Sequence, residues 1–595
     1  MSIFDKSVLE KAAEIEKDCQ GKHSSFCGSR CPMHADVLGY VSLIGEGKTA
    51  EAISKIREKL FLPGTLGRIC AHPCETVCRR EKEFKQPISI AALKRYAADK
   101  SDDESKWDVS KKAPTGKKVA VIGAGPAGAQ AAVDLAKAGH DVTIYEKLDF
   151  VGGMMRVGMP AYRLPRNVID FEYSYLKKLG VSFRMGVEVG RDVSFKELAS
   201  SHAVVIVANG AHKGFVPPVP GADSGGVTNA VDFLKSASLN PSGTVAGNKV
   251  VVVGGGDVAM DCARTSIRLG AKEVTILSLE KEEDLPASHH EQAGAKEEGV
   301  AFMCGWGVSE ITTKDGRVSG VKANDCLSLF DEAGNFNPSY GKEKAELDCD
   351  ALIFATGQIV EDVTSGILEQ DRGGRYVADS ETLATSIPNV FIAGDCAGSK
   401  IAVEAMALGR KAAISANRFL EGQYLKLDRN FESEWSFESC LDIPIPEGSE
   451  DLPRKSGRMA APGERVGSFE ECDLGFDDKT AREEASRCLK CECKQCMKEC
   501  IMLNDFTSYP GELLAKFLKD GKIDPLAVYS CNMCDQCTLV CPKEFKFAYL
   551  FSAMRTDLVR ANGGNSPMPG HKAINMHQKL GFSKFFTIKK KGAKK

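Results

Sequence analysis

Residues 118–146 read KVAVIGAGPAGAQAAVDLAKAGHDVTIYE. An apolar strand runs into Gly123-x-Gly125-x-x-Gly128, a helix-forming stretch follows, and a second strand ends at Glu146. The glycines permit a tight turn, close approach of a pyrophosphate to the helix N-terminus, and close helix–strand packing. Glu146 stands where a carboxylate accepts from ribose hydroxyls. Two strands, a helix and the acid together make this a dinucleotide site rather than a glycine turn of purely structural use. Pro126 and Ala127 inside the turn and Lys147 after the acid are grouped with it.

A second copy occupies 249–280, KVVVVGGGDVAMDCARTSIRLGAKEVTILSLE, with Gly254, Gly256 and Ala259 at the small-residue positions, Asp257 and Val258 in the turn, and Glu280 at the strand end. A βαβ unit that has lost its ligand is the alternative here. Three further apolar strands run into Gly-containing turns: AVVIVANG (203–210), with Asn209 and Gly210; ALIFATG (351–357), with Ala355 and Gly357; and NVFIAGDCAG (389–398), with Gly394 and Asp395. Together with the Gly-Gly segment at 152–153, which contains Gly153 and is followed by Met154, this order resembles the two-dinucleotide-binding flavoproteins. That resemblance implies FAD on the first fold, completed by the Gly-Asp segment, and a nicotinamide nucleotide on the inserted second fold. No close cysteine pair lies between 79 and 487, so a dithiol relay beside the flavin is not expected.

The chain has 595 residues, which suggests about four domains. It is 43% hydrophobic and 27% charged, with net charge −3, so nothing calls for nucleic acid. No apolar run approaches the ~20 residues that span a bilayer, and the charged N-terminus lacks an apolar signal core; a cytoplasmic protein is expected. Of 22 cysteines, six lie between 19 and 78 (Cys19, Cys27, Cys31, Cys70, Cys74, Cys78) and nine between 488 and 541. In a large cytosolic chain such end clusters point to metal or iron–sulfur ligands rather than disulfides. The scattered Cys262, Cys304, Cys326, Cys349, Cys396, Cys440 and Cys472 read as packing residues.

The C-terminal nine form Cys488-x2-Cys491-x-Cys493-x2-Cys496-x3-Cys500 and, about thirty residues on, SCNMCDQCTLVCP (530–542), with Cys531, Cys534, Cys537 and Cys541. The second run has the C-x2-C-x2-C-x3-C-P spacing that suits an iron–sulfur cube; in two-cluster ferredoxins three cysteines of one run and the fourth of the other share a cube. The first run has five cysteines for four places, so either Cys491 or Cys493 is spare. Zinc ribbons also use C-x2-C pairs. Residues 423–485, including IPIPEGSEDLPRKSGRMAAPGERV, are a poor core former and read as a linker. The basic end FFTIKKKGAKK reads as a solvated tail or a dock for an acidic partner.

CPMHADVLGY (31–40), GRICAHPCETVCRR (67–80), GGMMRVGMPAYRLPRNVID (152–170), GGGDVAMDCARTSIRLGAKEVTI (254–276) and AVEAMALGRKAA (402–413) resemble the glutamate synthase small (beta) subunit, the N-terminal part of dihydropyrimidine dehydrogenase and the large subunit of NADH-dependent ferredoxin:NADP oxidoreductase. The resemblance covers about residues 15–420. It implies an N-terminal helical domain with [4Fe-4S] clusters: one on Cys19, Cys27 and Cys78, with the fourth position at Lys22 beside His23, and one on Cys31, Cys70 and Cys74, with the fourth at Lys94. A zinc-stapled helical domain is the alternative. The NADPH-using glutamate synthase relatives carry Tyr-Arg-Arg after the EVTIL strand; here the chain reads Ser278-Leu279-Glu280-Lys281, so NAD(H) is expected over NADP(H).

The expected architecture is multidomain α/β with two nested Rossmann-type folds. It comprises a helical Fe–S domain (1–105), a first FAD-binding segment (116–225), an NAD(P)-binding domain (226–384), a second FAD-binding segment (385–422), the linker (423–485), a small helical ferredoxin-like [4Fe-4S] domain (486–560) and a tail (561–595). The expected function is an FAD/Fe–S NAD(P)H oxidoreductase subunit exchanging electrons with a partner redox subunit or ferredoxin in a hetero-oligomeric complex, a setting the resemblance extends to flavin-based bifurcation. A glutamate synthase small subunit and a non-catalytic zinc- and nucleotide-binding scaffold are the alternatives.

Overall fold

The computed structural model describes residues 3–19, 25–399, 401–426, 445, 447–450, 452–491, 496–497, 500–541, 543–581 and 583. Two five-stranded parallel sheets dominate it. The first is built from Lys118–Ile122 (β1), Asp141–Glu146 (β2), Ser182–Met185 (β3), Val204–Val207 (β4) and Val390–Ile392 (β15), in the order β15-β4-β1-β2-β3. Its central strands are apolar on both faces, as parallel strands covered on both sides require. The second is built from Val227–Asn229 (β6), Lys249–Val253 (β7), Glu273–Ser278 (β8), Ala301–Cys304 (β9) and Ala351–Phe354 (β13), in the order β6-β13-β7-β8-β9. An antiparallel ribbon of Trp306–Lys314, Arg317–Phe330 and Phe336–Asp348 (β10 to β12) flanks it. A two-stranded pair, Lys213–Gly214 (β5) with Gln358–Ile359 (β14), joins the outgoing and returning chain between the sheets.

The helix Ala402–Leu420 lies across the helix Pro126–Lys137. Their approach is close enough that a Cβ at Gly409 would stand 2.2 Å from the Ala127 carbonyl oxygen. A helical N-terminal layer docks on the first sheet unit through Glu172. Its carboxylate is buried and accepts from Gly64 N (2.5 Å) and Thr65 N (3.0 Å), and burial pushes its pKa up to about 7.

Two segments differ from the sequence reading. The helix Lys6–Asp18 does not join the rest of 1–105. Its apolar stripe Val8, Ala12, Ile15, with Phe4 just before the helix, packs instead on the C-terminal helices Pro510–Asp520 and Phe547–Ala561, Phe4 edge-on to Phe517 at 4.9 Å. An amphipathic stripe needs a partner face but does not name it. The second is 452–488, of which 452–485 reads as linker in the sequence. It is folded, with a small hairpin (Arg458–Met459, Asp473–Gly475) and the helix Asp478–Ser486 laid on Val37–Gly45 and Ile90–Ser101. Polar burial holds it. Glu484, with no exposed surface, accepts from Ser89 N (2.7 Å), Lys455 N (2.9 Å) and Arg487 Nη1 (2.6 Å). Glu484→Ala strands the Arg487 charge and two amides, so a loss of about 3–5 kcal/mol is expected in chemical denaturation; a loss below about 1 kcal/mol would show that this docking does not hold the segment.

The helices of 496–581 carry no strand among the described residues. No helix of the described residues is long and apolar enough to cross a membrane. Lys22, His23, Cys493 and the basic end 585–595 lie outside the described residues.

Candidate cofactor and electron-transfer site

Gly123 ends β1 at φ +104°, where a Cβ would meet the Ala208 carbonyl oxygen at 2.4 Å. Gly125 caps the helix Pro126–Lys137 in extended backbone, and a Cβ there would meet nothing within 4 Å. Gly128 lies under the turn, where a Cβ would come within 2.1 Å of the Gly123 oxygen. The loop is therefore tight at its first and third glycines and open at its second, over a helix N-terminus suited to phosphate. Gly153 backs onto this opening, its Cβ position 3.0 Å from Gly125 Cα. Glu146 is buried at the end of β2, and its two carboxylate oxygens accept from Ala124 N (2.7 Å) and Leu148 N (2.9 Å). Asp395, in the short turn Gly394–Ala397, accepts from Ser399 Oγ at 2.8 Å. Burial pushes both acids above the ordinary carboxyl range.

These residues surround a cavity of about 950 Å³. Gly123, Gly125, Pro126, Ala127, Glu146, Lys147, Gly153, Met154, Asn209, Gly210, Gly394 and Asp395 line it; Gly128 does not. From the second unit only Asp257 and Val258 of the expected set reach it, while Gly254, Gly256, Ala259, Glu280, Ala355 and Gly357 lie outside its lining. The second glycine turn repeats the first: Gly254 has φ +138° and Gly256 opens onto free space. Glu280 Oε2 lies 2.7 Å from where a Cβ of Gly255 would be, so its carboxylate hangs over the second loop.

The cavity also has a charged wall absent from the sequence reading. Arg163, which lines the cavity, pairs with the lining Asp261 (2.6 Å) and Glu291 (2.9 Å); behind them Arg264 pairs with Glu291 and Glu298 (2.5 and 2.8 Å). Burial pushes Asp261 up; it pushes Glu291 the same way, but Arg163 and Arg264 outweigh it and hold that carboxyl low. His212 is pushed down to about 4 by burial and by Lys147 and Lys235, so it faces the cavity as a neutral imidazole at pH 7. Charged residues on amphipathic helices read as solvent-facing; only the apposition of two units buries them.

The cysteines fall into separate groups. Cys70 lines the cavity itself, with Cys31 and Cys74 as buried neighbours and the buried Lys94 beside them. Cys27 and Cys78 meet Cys488 and Cys491 around a smaller hollow. Cys19, grouped by resemblance with Cys27 and Cys78, is instead carried into the C-terminal core by the helix Lys6–Asp18. There it neighbours Cys541 and stands against Gly511, with Cys496 in the same core. Cys500 joins Cys531, Cys534 and Cys537. Among the described residues, no three His, Cys, Asp or Glu side chains converge at single-ion distance. Sets of three or four thiols drawn from separate segments fit the donor chemistry of an Fe–S cluster.

The model of the Pyridine nucleotide-disulphide oxidoreductase family matches residues 117–411, and that of Dihydropyrimidine dehydrogenase domain II, 4Fe-4S cluster, matches 3–106 and 465–548. The beta subunit of NADP(+)-dependent formate dehydrogenase from Moorella thermoacetica is 35% identical over 502 residues, 78% of this chain and 70% of that one. The NADPH-Fe(3+) oxidoreductase beta subunit of Geobacter sulfurreducens is 33% identical over 531 residues, 81% and 77% of the two chains. The small chain of Azospirillum brasilense glutamate synthase [NADPH] is 34% identical over 436 residues, 69% and 89%. The chain belongs to the glutamate synthase small-subunit family of flavin and iron–sulfur oxidoreductases. Members of this family are electron-transfer enzymes of FAD, pyridine nucleotide and 4Fe-4S clusters. The second model's split match draws on the segments that the structure brings together, the N-terminal helices and 465–548.

Proposed function

We propose that this chain is a cytoplasmic, NADH-linked electron-transfer subunit in which FAD occupies the first fold, the nicotinamide nucleotide the second, and cysteine-held clusters connect the flavin to a partner redox subunit or a ferredoxin. One observation carries the reading: the cavity lined by Gly123, Gly125, Pro126, Ala127 and Asp395 is also lined by Asp257 and Val258 of the second unit and by Cys70 of a thiol group. On this reading, two-electron and one-electron sites are contiguous. FAD, when bound, supplies the exchange between hydride transfer and single electrons.

The chain's own residues divide the remaining work. Gly125 and the helix N-terminus behind it receive the pyrophosphate, and the turn at Gly394–Ala397 presents Asp395 to a polar ligand edge. The Arg163–Asp261–Glu291 wall pins the second unit against the cavity by buried ion pairs. Cys31, Cys70 and Cys74 would hold the cluster nearest the flavin. Cys500, Cys531, Cys534 and Cys537 would hold one at the far end, with Cys19, Cys496 and Cys541 for its neighbour. The C-terminal helices supply what an ordinary glutamate synthase small subunit lacks, an outlet of their own, and this favours a different partner.

The nicotinamide preference rests on Glu280. A carboxylate over the second glycine loop accepts from ribose 2′- and 3′-hydroxyls and repels a 2′-phosphate. The relatives named above are named for NADP(H), so this preference would set the chain apart from them. A ratio of kcat/KM for NADH over NADPH of about tenfold or more is expected, which needs only ~1.4 kcal/mol. Replacing Leu279 and Glu280 by arginines is expected to move the preference toward NADPH. Steady-state rates with a dye acceptor test both; equal or better efficiency with NADPH in the unmodified protein refutes the assignment. For the whole reading, anaerobically purified protein should show flavin and broad Fe–S absorption that NADH bleaches, and should co-purify with a redox partner. Colourless, zinc-loaded protein would overturn it.

A further inference from the structure

The chain's two ends meet at a hollow lined by Cys27 and Cys78 on one side and Cys488 and Cys491 on the other. We propose that these four cysteines hold one iron–sulfur cluster jointly, so that the C-terminal segment completes an N-terminal cluster site. The proposal deepens the reading of the cysteines as cluster ligands. It replaces the set in which Cys19 and the position at Lys22 served this cluster.

Three observations support it. Four thiols from segments more than 400 residues apart line one hollow, and four is the ligand count of a cube. The C-terminal pair is delivered by a rigid dock. Arg487, next to Cys488, donates to Gln86 O (2.9 Å) and Pro87 O (3.3 Å), and Glu484 accepts from Ser89 N (2.7 Å). Such buried polar docking fixes a ligand pair to within the tolerance a metal site needs. Arg80 lines the same hollow. It donates through Nη2 to Ser449 O (2.8 Å) and Leu452 O (2.9 Å), yet its buried Nε has no hydrogen-bond partner. A buried donor without an acceptor costs about 1–3 kcal/mol. A cluster sulfur in the hollow supplies that acceptor, and the guanidinium offsets the charge of four thiolates.

The test uses the full chain, purified anaerobically, as wild type, Cys27→Ser, Cys488→Ser and the double variant. Iron and acid-labile sulfide per chain, FAD per chain and the EPR spectrum of the dithionite-reduced protein are measured. Each single variant is expected to lose about four iron atoms and the same EPR component, the double variant no more than either single, and FAD to be retained in all. A double variant that loses twice the iron and two distinct components assigns the cysteines to different clusters and overturns the proposal. Iron-free wild-type protein would instead defeat the Fe–S reading as a whole, so the two failures are distinguishable. Should the variants misfold, stepwise chelation of the wild type followed by alkylation mapping decides: Cys27, Cys78, Cys488 and Cys491 becoming reactive together supports the joint site, and separate exposure of the two pairs refutes it.

Discussion

Gly125→Val is expected to give a folded protein that purifies without FAD and retains its iron. The backbone at Gly125 is extended, with φ −73° and ψ −179°, which any residue adopts. A Cβ there meets no protein atom within 4 Å, so the substitution leaves the sheet and the helix Pro126–Lys137 undisturbed. The space it fills is that over the helix N-terminus, where a pyrophosphate must approach the backbone. Loss of that approach should weaken FAD binding at least about 100-fold, or about 2.8 kcal/mol. Gly128→Val makes the contrast: its Cβ would stand 2.1 Å from the Gly123 carbonyl oxygen, so that variant is expected to lose the fold rather than the ligand. Flavin absorbance against iron content in the purified variants reads both outcomes. Stoichiometric FAD in Gly125→Val would remove the Gly123–Gly128 turn from the FAD assignment.

Cys534→Ser is expected to remove the C-terminal cluster signal and at least about 100-fold of electron transfer to the partner, while NADH still reduces the flavin at near wild-type rate. Cys534 is exposed, in the loop between the helices Pro525–Ser530 and Gln536–Leu539, beside Cys531 and Cys537. An exposed ligand places this cluster at the surface, where a partner can meet it. The cavity proposed for FAD is lined by other units of the chain, so hydride transfer is not expected to depend on this loop. EPR of the reduced variant and stopped-flow reduction by NADH, with and without partner, separate the two activities. A folded variant that no longer reduces its flavin would refute this division of labour.

Much of the architecture was legible in the residues. The glycine turns at 123–128 and 254–259, each between an apolar strand and a helix, specify backbone geometry within about thirty residues. Both open at their second glycine in the structure, as a phosphate cradle requires. The returning segment 389–398 likewise announced a strand and turn, and β15 lies beside β4 in the first sheet. Cysteine spacing set the two ends apart as candidate ligand-bearing segments. These signals are local, carried by hydrophobic period, glycine placement and spacing.

Tertiary structure alone decided which distant pieces meet. Cys19 is carried away from Cys27 and Cys78 because the stripe Phe4, Val8, Ala12, Ile15 finds its apolar partner on the C-terminal helices. Cys488 and Cys491 come to Cys27 and Cys78 because Glu484 and Arg487 bury themselves against the backbone at 86–89, contacts spanning 395 to 401 residues of chain. The stretch just before them, up to residue 485, reads as a linker since it is held largely by charges and backbone amides, which leave a weak hydropathy period. The Arg163–Asp261–Glu291 wall was hidden for the same reason: each residue alone is an ordinary surface charge. Sequence encodes what a segment's own backbone and apolar face demand. Which polar groups are desolvated together depends on the apposition of units far apart in the chain, and here that apposition groups the cysteines.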